Sequence, residues 1–311
     1  MSASHYRDPR AMRNAIADRL RPLARERGIE LSSLQRQFAY DRLLSRIFRT
    51  DPTRWVLKGG TAMLARLGAD ARHTRDIDLL TRVGDLDEAE RALRSASGVD
   101  LGDYFTFTLN PGRRITQGAG AVRVDVVAFL GLDQFASFHV DLVAYMAMTG
   151  TPDVVSPLVP IALPGLVTTT YSVYPLVDHV ADKVCALFET HERASGLIQP
   201  STRFRDLADL AIFANAVSVG ATELGIAMAS EAKRRGLILP DRLTAPTGAD
   251  WARGYRRVAR DAPQLKERDL AGAVATVGCF IDPALAGTAR GEWDPTTLSW
   301  QNALAVAPES E

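Results

Sequence analysis

Apolar positions change their period along this chain, and the changes mark its elements. Leu34, Phe38, Leu43, Leu44 and Ile47 recur at helical spacing, which predicts a helix over SSLQRQFAYDRLLSRIF, capped by Ser32 and broken by Pro52. Trp55, Val56 and Leu57 form an unbroken apolar run, the pattern of a buried strand. A Gly59-Gly60-Thr61 turn follows, with Thr61 as N-cap of a short helix that faces Met63, Leu64 and Leu67 inward and ends at Gly68. The next run, DIDLLT, alternates: Asp76 and Asp78 share one face of a strand, Ile77 and Leu79 the other. A helix is expected over residues 84–95 from Leu86, Ala89 and Leu93, then strands over YFTFTL (104–109), VRVDVVAF (122–129) and FHVDLV (138–143), the last two joined through LGLDQFA as a hairpin.

Residues 150–170, rich in Pro, Thr and Val, read as a connection with one short strand, after which the period is helical throughout. PLVDHVADKVCALFETHER turns Val177, Val180, Ala181, Val184, Leu187 and Phe188 inward, and RFRDLADLAIF does the same with Leu207, Leu210, Ala211 and Ala214, across a polar loop at 190–202. ATELGIAMASEAKRRG and DWARGYRRVARDAPQ are amphipathic, LAGAVATVGCFIDPAL is apolar enough for a core, and the final AVAPESE is expected to fray. Strands then helices imply an α+β chain of two domains, residues 1–165 and residues 166–311.

Composition narrows the classes. With 311 residues, ordinary apolar and charged fractions and no run of membrane-span length, the chain reads as soluble. The N-terminus lacks the apolar core of a signal peptide. Cys185 and Cys279 cannot build a disulfide framework, and Cys185 sits in an apolar helical pattern as a buried thiol; a reducing cytoplasm fits. The net charge of zero argues against extended duplex binding but leaves room for a local basic patch that meets one end of an RNA. Seven arginines between Arg7 and Arg27, Lys233-Arg234-Arg235 and the run Arg253 to Arg260 could supply one, although a solvated amphipathic helix is the plainer reading of the first.

The candidate chemistry lies in the central stretch. Two carboxylates on one strand face, beside a glycine turn whose N–H groups can hold phosphate, suit Mg²⁺ on a nucleoside triphosphate. Two-metal phosphoryl chemistry commonly uses a third carboxylate. Asp125 and Asp141 both sit in β-favouring apolar runs where Asp is otherwise disfavoured, and Asp141 is preferred because its strand can return beside Asp76 and Asp78. Lys183 borders an apolar stripe and is expected to be exposed, as lysines on helices are. Arg205 and Asp209 form an i,i+4 pair, with Asp206 on an adjoining face. The five histidines show no metal-binding spacing.

Lys58-Gly-Gly-Thr61, Arg72-x-Thr74-x-Asp76-x-Asp78, Ala181-Asp-Lys183 and Arg205-Asp206-x-x-Asp209 together resemble the AbiEii family of nucleotidyltransferase toxins of type IV toxin–antitoxin systems, which includes the mycobacterial MenT toxins. The motifs span residues 55 to 215; residues 1–30 and 220–311 carry none. The resemblance implies a polymerase-β-like mixed sheet with flanking helices and a C-terminal helical domain contributing Lys183 and Asp206 to the site. It assigns Asp76 and Asp78 to Mg²⁺, and Gly59, Gly60, Thr61 and Thr74 to the nucleotide. Lys183 would neutralise phosphate charge, and Asp206 and Asp209 would orient Lys183 or a nucleotide hydroxyl. Thr74 stands where the family often has Ser. The implied reaction moves NMP from an NTP (CTP or UTP favoured, GTP possible) to the 3′ acceptor end of tRNA, with a cognate antitoxin encoded nearby and no membrane partner. Two alternatives use the same frame: transfer to a small molecule or protein acceptor, and a non-catalytic nucleotide-binding module, against which the intact Asp76, Asp78 and Lys183 argue. Asp76→Ala and Lys183→Ala are each expected to abolish transfer with the fold intact.

Overall fold

The computed structural model describes residues 5–72, 74–115, 120–144, 146–189, 191–192, 198–199, 201–244 and 249–302. Most of the polar loop at 190–202 and the whole of the AVAPESE tail fall outside them. The chain forms two compact units: Met1–Ala69, His73–Met146 and Pro152–Tyr174 make one; Asp70–Arg72, Ala147–Thr151 and Pro175–Glu311 make the other.

The first unit is built on a mixed sheet. It opens with helix α1 (Pro9–Arg27), started by Asp8, whose carboxylate accepts the Ala11 N–H at 2.7 Å, and closed by left-handed Gly28. Met12, Ile16, Leu20 and Ala24 are buried at a spacing of four, so most of the arginines between them face outward, while Arg13 donates to the Asp133 carbonyl. Helix α2 (Leu31–Thr50) starts a residue before Ser32, with Glu30 at the N-cap and no side-chain cap. It is buried on nearly every side, which its apolar stripe did not foretell. Asp41, Arg42 and Arg46 lie inside, and Arg46 meets Asp103 through two bonds of 3.1 and 2.6 Å. Asp41 accepts the N–H groups of Leu158 and Val159 and the Tyr171 hydroxyl.

Strand β1 (Trp55–Lys58) runs straight into α3 (Gly59–Leu67), then β2 (Asp76–Thr81) and α4 (Leu86–Ser97), capped by Asp85. Strands β3 (Phe105–Leu109), β4 (Arg113–Ile115), β5 (Ala121–Leu130), β6 (Asp133–Ala144), β7 (Asp153–Val155) and β8 (Tyr171–Val173) complete the sheet. Its order is β3-β5-β6-β2-β1-β8-β7, with β4 paired to β5. β2 pairs parallel with β6 and β1 parallel with β8; the other pairs are antiparallel. β5 and β6 take up most of LGLDQFA and leave a tight turn with Gly131 at φ 65°. β4 was not anticipated, and β8 lies beyond residue 165 yet belongs to the sheet.

The second unit is mainly helical: α5 (Leu176–Phe188), the short pair β9 (His191–Glu192) and β10 (Ile198–Gln199), α6 (Phe204–Ala216), α7 (Ala221–Arg235), α8 (Ala249–Arg260) and α9 (Leu270–Leu285). α5 packs on α6 and α7, and α6 on α8 and α9. An unanticipated hairpin, β11 (Glu292–Asp294) with β12 (Ser299–Gln301), closes it: buried Trp293 donates its indole N–H to the Ala214 carbonyl at 2.8 Å and packs on Phe280. Arg234 and Arg235 are bound by Glu231, Asp182 and Glu189, so much of the Lys233-Arg234-Arg235 run is spent on internal pairs instead of a basic patch. Cys185 is a buried free thiol that burial pushes up to about 12, while Cys279 is exposed. No helix among the described residues is long and apolar enough to cross a membrane.

Candidate active site

Side-chain alternation on β2 and its pairing with β6 build an acidic face in the first unit. Parallel register sets Asp76 opposite His139 and Asp78 opposite Asp141. Residues opposed in a ladder share a face, so four chemically active side chains stand together while Ile77, Leu79, Val140 and Leu142 enter the core. The row continues on both sides. Lys58 of β1 opposes Asp78, and Arg123 of β5 opposes Asp141, so the sequence of charges across four strands is plus, minus, minus, plus. Arg123 grips Asp141 with both ends of its guanidinium, at 2.7 and 2.6 Å. The Asp141 hydrogen bond, with the charges of Asp76 and Asp78 added, holds Arg123 above its usual range despite partial burial. Asp125 lies a strand further out, opposite His139 and beside the exposed Arg113, and so does not adjoin Asp78.

The carboxylates are held differently. Asp76 Oδ1 accepts the Thr74 hydroxyl at 2.5 Å, and its backbone carbonyl accepts the buried Thr61 hydroxyl at 2.5 Å. Thr61 therefore fastens α3 to β2 and does not present its hydroxyl outward; α3 begins at Gly59, with Lys58 at the N-cap. Gly59 is at φ 57°, and a Cβ there would fall 1.9 Å from Asp78 Oδ2. Only glycine permits both the left-handed turn and the Asp78 carboxylate lying over it. That carboxylate stands against the start of a helix with no side-chain cap, where the dipole favours negative charge.

Asp76, His139 and Asp141 each offer a donor atom within 4.8 Å of the other two. Carboxylate oxygens at that spacing, part open to solvent, fit a hard divalent ion. His139, whose Nε2 is 3.6 Å from Asp76 Oδ2, adds a nitrogen.

In the second unit, α5 and α6 bring Lys183, Asp206 and Asp209 together. Lys183 is buried, contrary to the expectation for a helical lysine, and donates to Asp206 at 3.0 Å and to Asp209 at 2.5 Å. Arg72 clamps the same Asp209 with bonds of 2.6 and 2.9 Å. Asp209 thus pairs with Lys183 and Arg72 and not with Arg205, and the set is an interior ion cluster, not a surface salt bridge. Burial alone would lower the Lys183 ammonium, but Asp209 and Asp206 outweigh it and hold it raised. Burial would raise Asp209, but Arg72 and Lys183 hold it far below the usual carboxylate range.

Sequence reasoning passed over Arg72, Arg123 and His139 as site residues. His139 had a signal, since it shares the Asp141 face by alternation. Arg123 also alternates with Asp125, but only the β5–β6 register reveals its partner.

The sequence profile described as "Nucleotidyl transferase AbiEii toxin, Type IV TA system" matches residues 42–276. Among solved structures, the chain is similar to MenT4, a nucleotidyltransferase toxin of Mycobacterium tuberculosis, with 20% identity, a TM-score of 0.47, and coverage of 83% of this chain and 94% of that one. It is also similar to JHP933 of Helicobacter pylori, with 16% identity, a TM-score of 0.44, and coverage of 82% and 94%. No curated protein matches the sequence.

Proposed function

The chain belongs to the AbiEii family of nucleotidyltransferase toxins of type IV toxin–antitoxin systems, and from that premise we propose that it transfers NMP from an NTP, a pyrimidine nucleotide by preference, to the 3′ acceptor end of tRNA and so blocks translation. The family supplies the coarser part: nucleotidyl transfer, an NTP substrate and an antitoxin partner. The observation that carries the reading is the parallel register that sets Asp76 and Asp78 of β2 beside His139 and Asp141 of β6 on one open face.

In this reading Asp76 and Asp78 would hold a divalent ion, taken as Mg²⁺, with Asp141 beside them as the third carboxylate. When bound, the ion supplies Lewis-acid stabilisation of the charge that grows on the phosphate oxygens. Thr74 fixes the direction of Asp76 through its hydroxyl. Gly59 and Gly60, at the start of α3, would offer backbone N–H groups to the triphosphate. Thr61 serves the nucleotide indirectly, by tying that turn to β2. Asp141, steadied by Arg123, accepts a hydrogen bond from the attacking 3′-hydroxyl and orients it toward the α-phosphorus, from which pyrophosphate leaves. Lys183 is assigned to the phosphates as a point cation, with Asp206 and Asp209 fixing its position.

Purified protein incubated with Mg²⁺, total tRNA and each α-labelled NTP in turn tests this. Label on tRNA from CTP or UTP, lost in Asp76→Ala, is the expected result. Label from GTP alone would correct the nucleotide. No label on RNA, from protein that still binds NTP, would overturn the tRNA reading in favour of a small-molecule or protein acceptor.

A further inference from the structure

A nitrogen donor stands inside the carboxylate set, and neither transfer to RNA nor a Mg²⁺ site calls for one. His139 occupies the β6 position directly opposite Asp76, with Nε2 3.6 Å from Asp76 Oδ2. Its imidazole lies on the face of Asp76 and Asp141, and one donor atom from each of the three falls within 4.8 Å of the others. Ligands of a single six-coordinate ion with bonds of about 2.1 Å stand roughly 3 to 4 Å apart, so these three side chains are within small rotations of one coordination sphere. Asp78, on the same face, has its Oδ2 over Gly59. Both His139 and Asp76 are part exposed, at 27% and 33%, so an ion reaches them without the fold opening.

We propose that His139 is a nitrogen ligand of the catalytic metal, added to the carboxylates of the acidic face, and that it makes this site select Mn²⁺ over Mg²⁺. The inference rests on the metal-dependent reading of the acidic face. Mg²⁺ favours oxygen and holds its waters tightly, whereas imidazole is a good ligand for the first-row transition ions. Mn²⁺ is compatible with both parts of the set: it takes carboxylates and octahedral geometry as Mg²⁺ does, and as a first-row transition ion it tolerates the nitrogen better than Mg²⁺. Arg123, engaged with both Asp141 oxygens, limits the negative charge there, which leaves the nitrogen a larger share in discriminating between ions.

Mn²⁺ itself is the probe, followed by electron paramagnetic resonance on the full chain without nucleotide, with Mg²⁺ affinity taken from competition. In the wild type, pulsed spectra should show ¹⁴N coupling to bound Mn²⁺. In His139→Ala that coupling should vanish and Mn²⁺ should bind at least roughly tenfold more weakly, since even groups that only orient a ligand contribute that much. Mg²⁺ affinity should stay nearly unchanged, and circular dichroism should show the fold retained. Asp76→Ala should remove binding of both ions. Mn²⁺ bound in an Asp76-dependent way but with no ¹⁴N coupling would overturn the role of His139 and leave the acidic metal site standing. Mn²⁺ bound equally well by Asp76→Ala, or not bound by the wild type, would overturn both.

Discussion

Gly59 shows how much one residue carries. Its φ of 57° and the Asp78 oxygen that fills the space of a Cβ are independent demands met by the same atom deletion. Gly59→Ala should lose about 1–2 kcal/mol from the left-handed backbone alone, seen in urea unfolding. It should also displace Asp78 and abolish nucleotide transfer even in the fraction that stays folded. Thr74→Val tests a gentler case. It removes the hydroxyl that orients Asp76 at little change in shape, and transfer should fall by about tenfold to a hundredfold, as for groups that orient metal ligands, in an activity assay with melting unchanged. At this scale the sequence was readable where alternation governs: Asp76, Asp78, His139 and Asp141 could be placed on faces from the strand period. It was not readable for Thr61, because a helix cap and a bond to a neighbouring strand use the same hydroxyl, and only the three-dimensional path of the chain chooses between them.

Helices α5 and α6 make the equivalent point for elements. Their apolar stripes were legible and place Val180, Val184, Leu207 and Leu210 in the core. The charged positions between the stripes were not, because the burial of Lys183 depends on Asp209 of another helix and on Arg72 from far up the chain. That burial changes the expectation for Lys183→Ala. The variant leaves Asp209 in the interior with Arg72 as its remaining cation, and losing one member of a buried pair costs about 3–5 kcal/mol. Lys183→Ala should therefore unfold at markedly lower urea concentration as well as lose activity, whereas Asp76→Ala, part exposed on a strand face, should lose activity alone. Helix α2 is illegible for the same reason. Its Arg46 is balanced by Asp103, 57 residues later, and nothing local announces that partner.

For the molecule as a whole, two interior carboxylates tilt stability in opposite directions with pH. Burial raises the Asp41 carboxyl to about 6 from 3.8, against the bonds from Leu158, Val159 and Tyr171. The folded state then holds this proton more tightly than the unfolded chain, so Asp41 gives stability that is present below the ordinary carboxylate range and lost as pH rises through about 6, of order 3 kcal/mol. Asp209 is depressed by Arg72 and Lys183 against its burial, so its contribution is present above the ordinary range and lost as pH falls. Unfolding in urea across pH should show the wild type losing stability relative to Asp41→Asn between about pH 4 and pH 7. Relative to Asp209→Asn it should lose stability below about pH 4. The alternation of strand and helix patterns conveyed the mixed architecture, since it depends on periodicity alone. Sheet order and the small strands β4, β8, β11 and β12 did not follow, because segments of three residues have no period to read.

The parallel pairing of β2 with β6 also sets a timetable. Everything from α4 to β5 is threaded between the two strands, so during synthesis the ribosome releases Asp76 and Asp78 long before the strand that faces them. A nascent chain that has emerged only to β5 has the glycine turn and its two carboxylates but neither His139 nor Asp141. Chain fragments ending there are expected to be inert, and the full constellation appears only once β6 is free to dock.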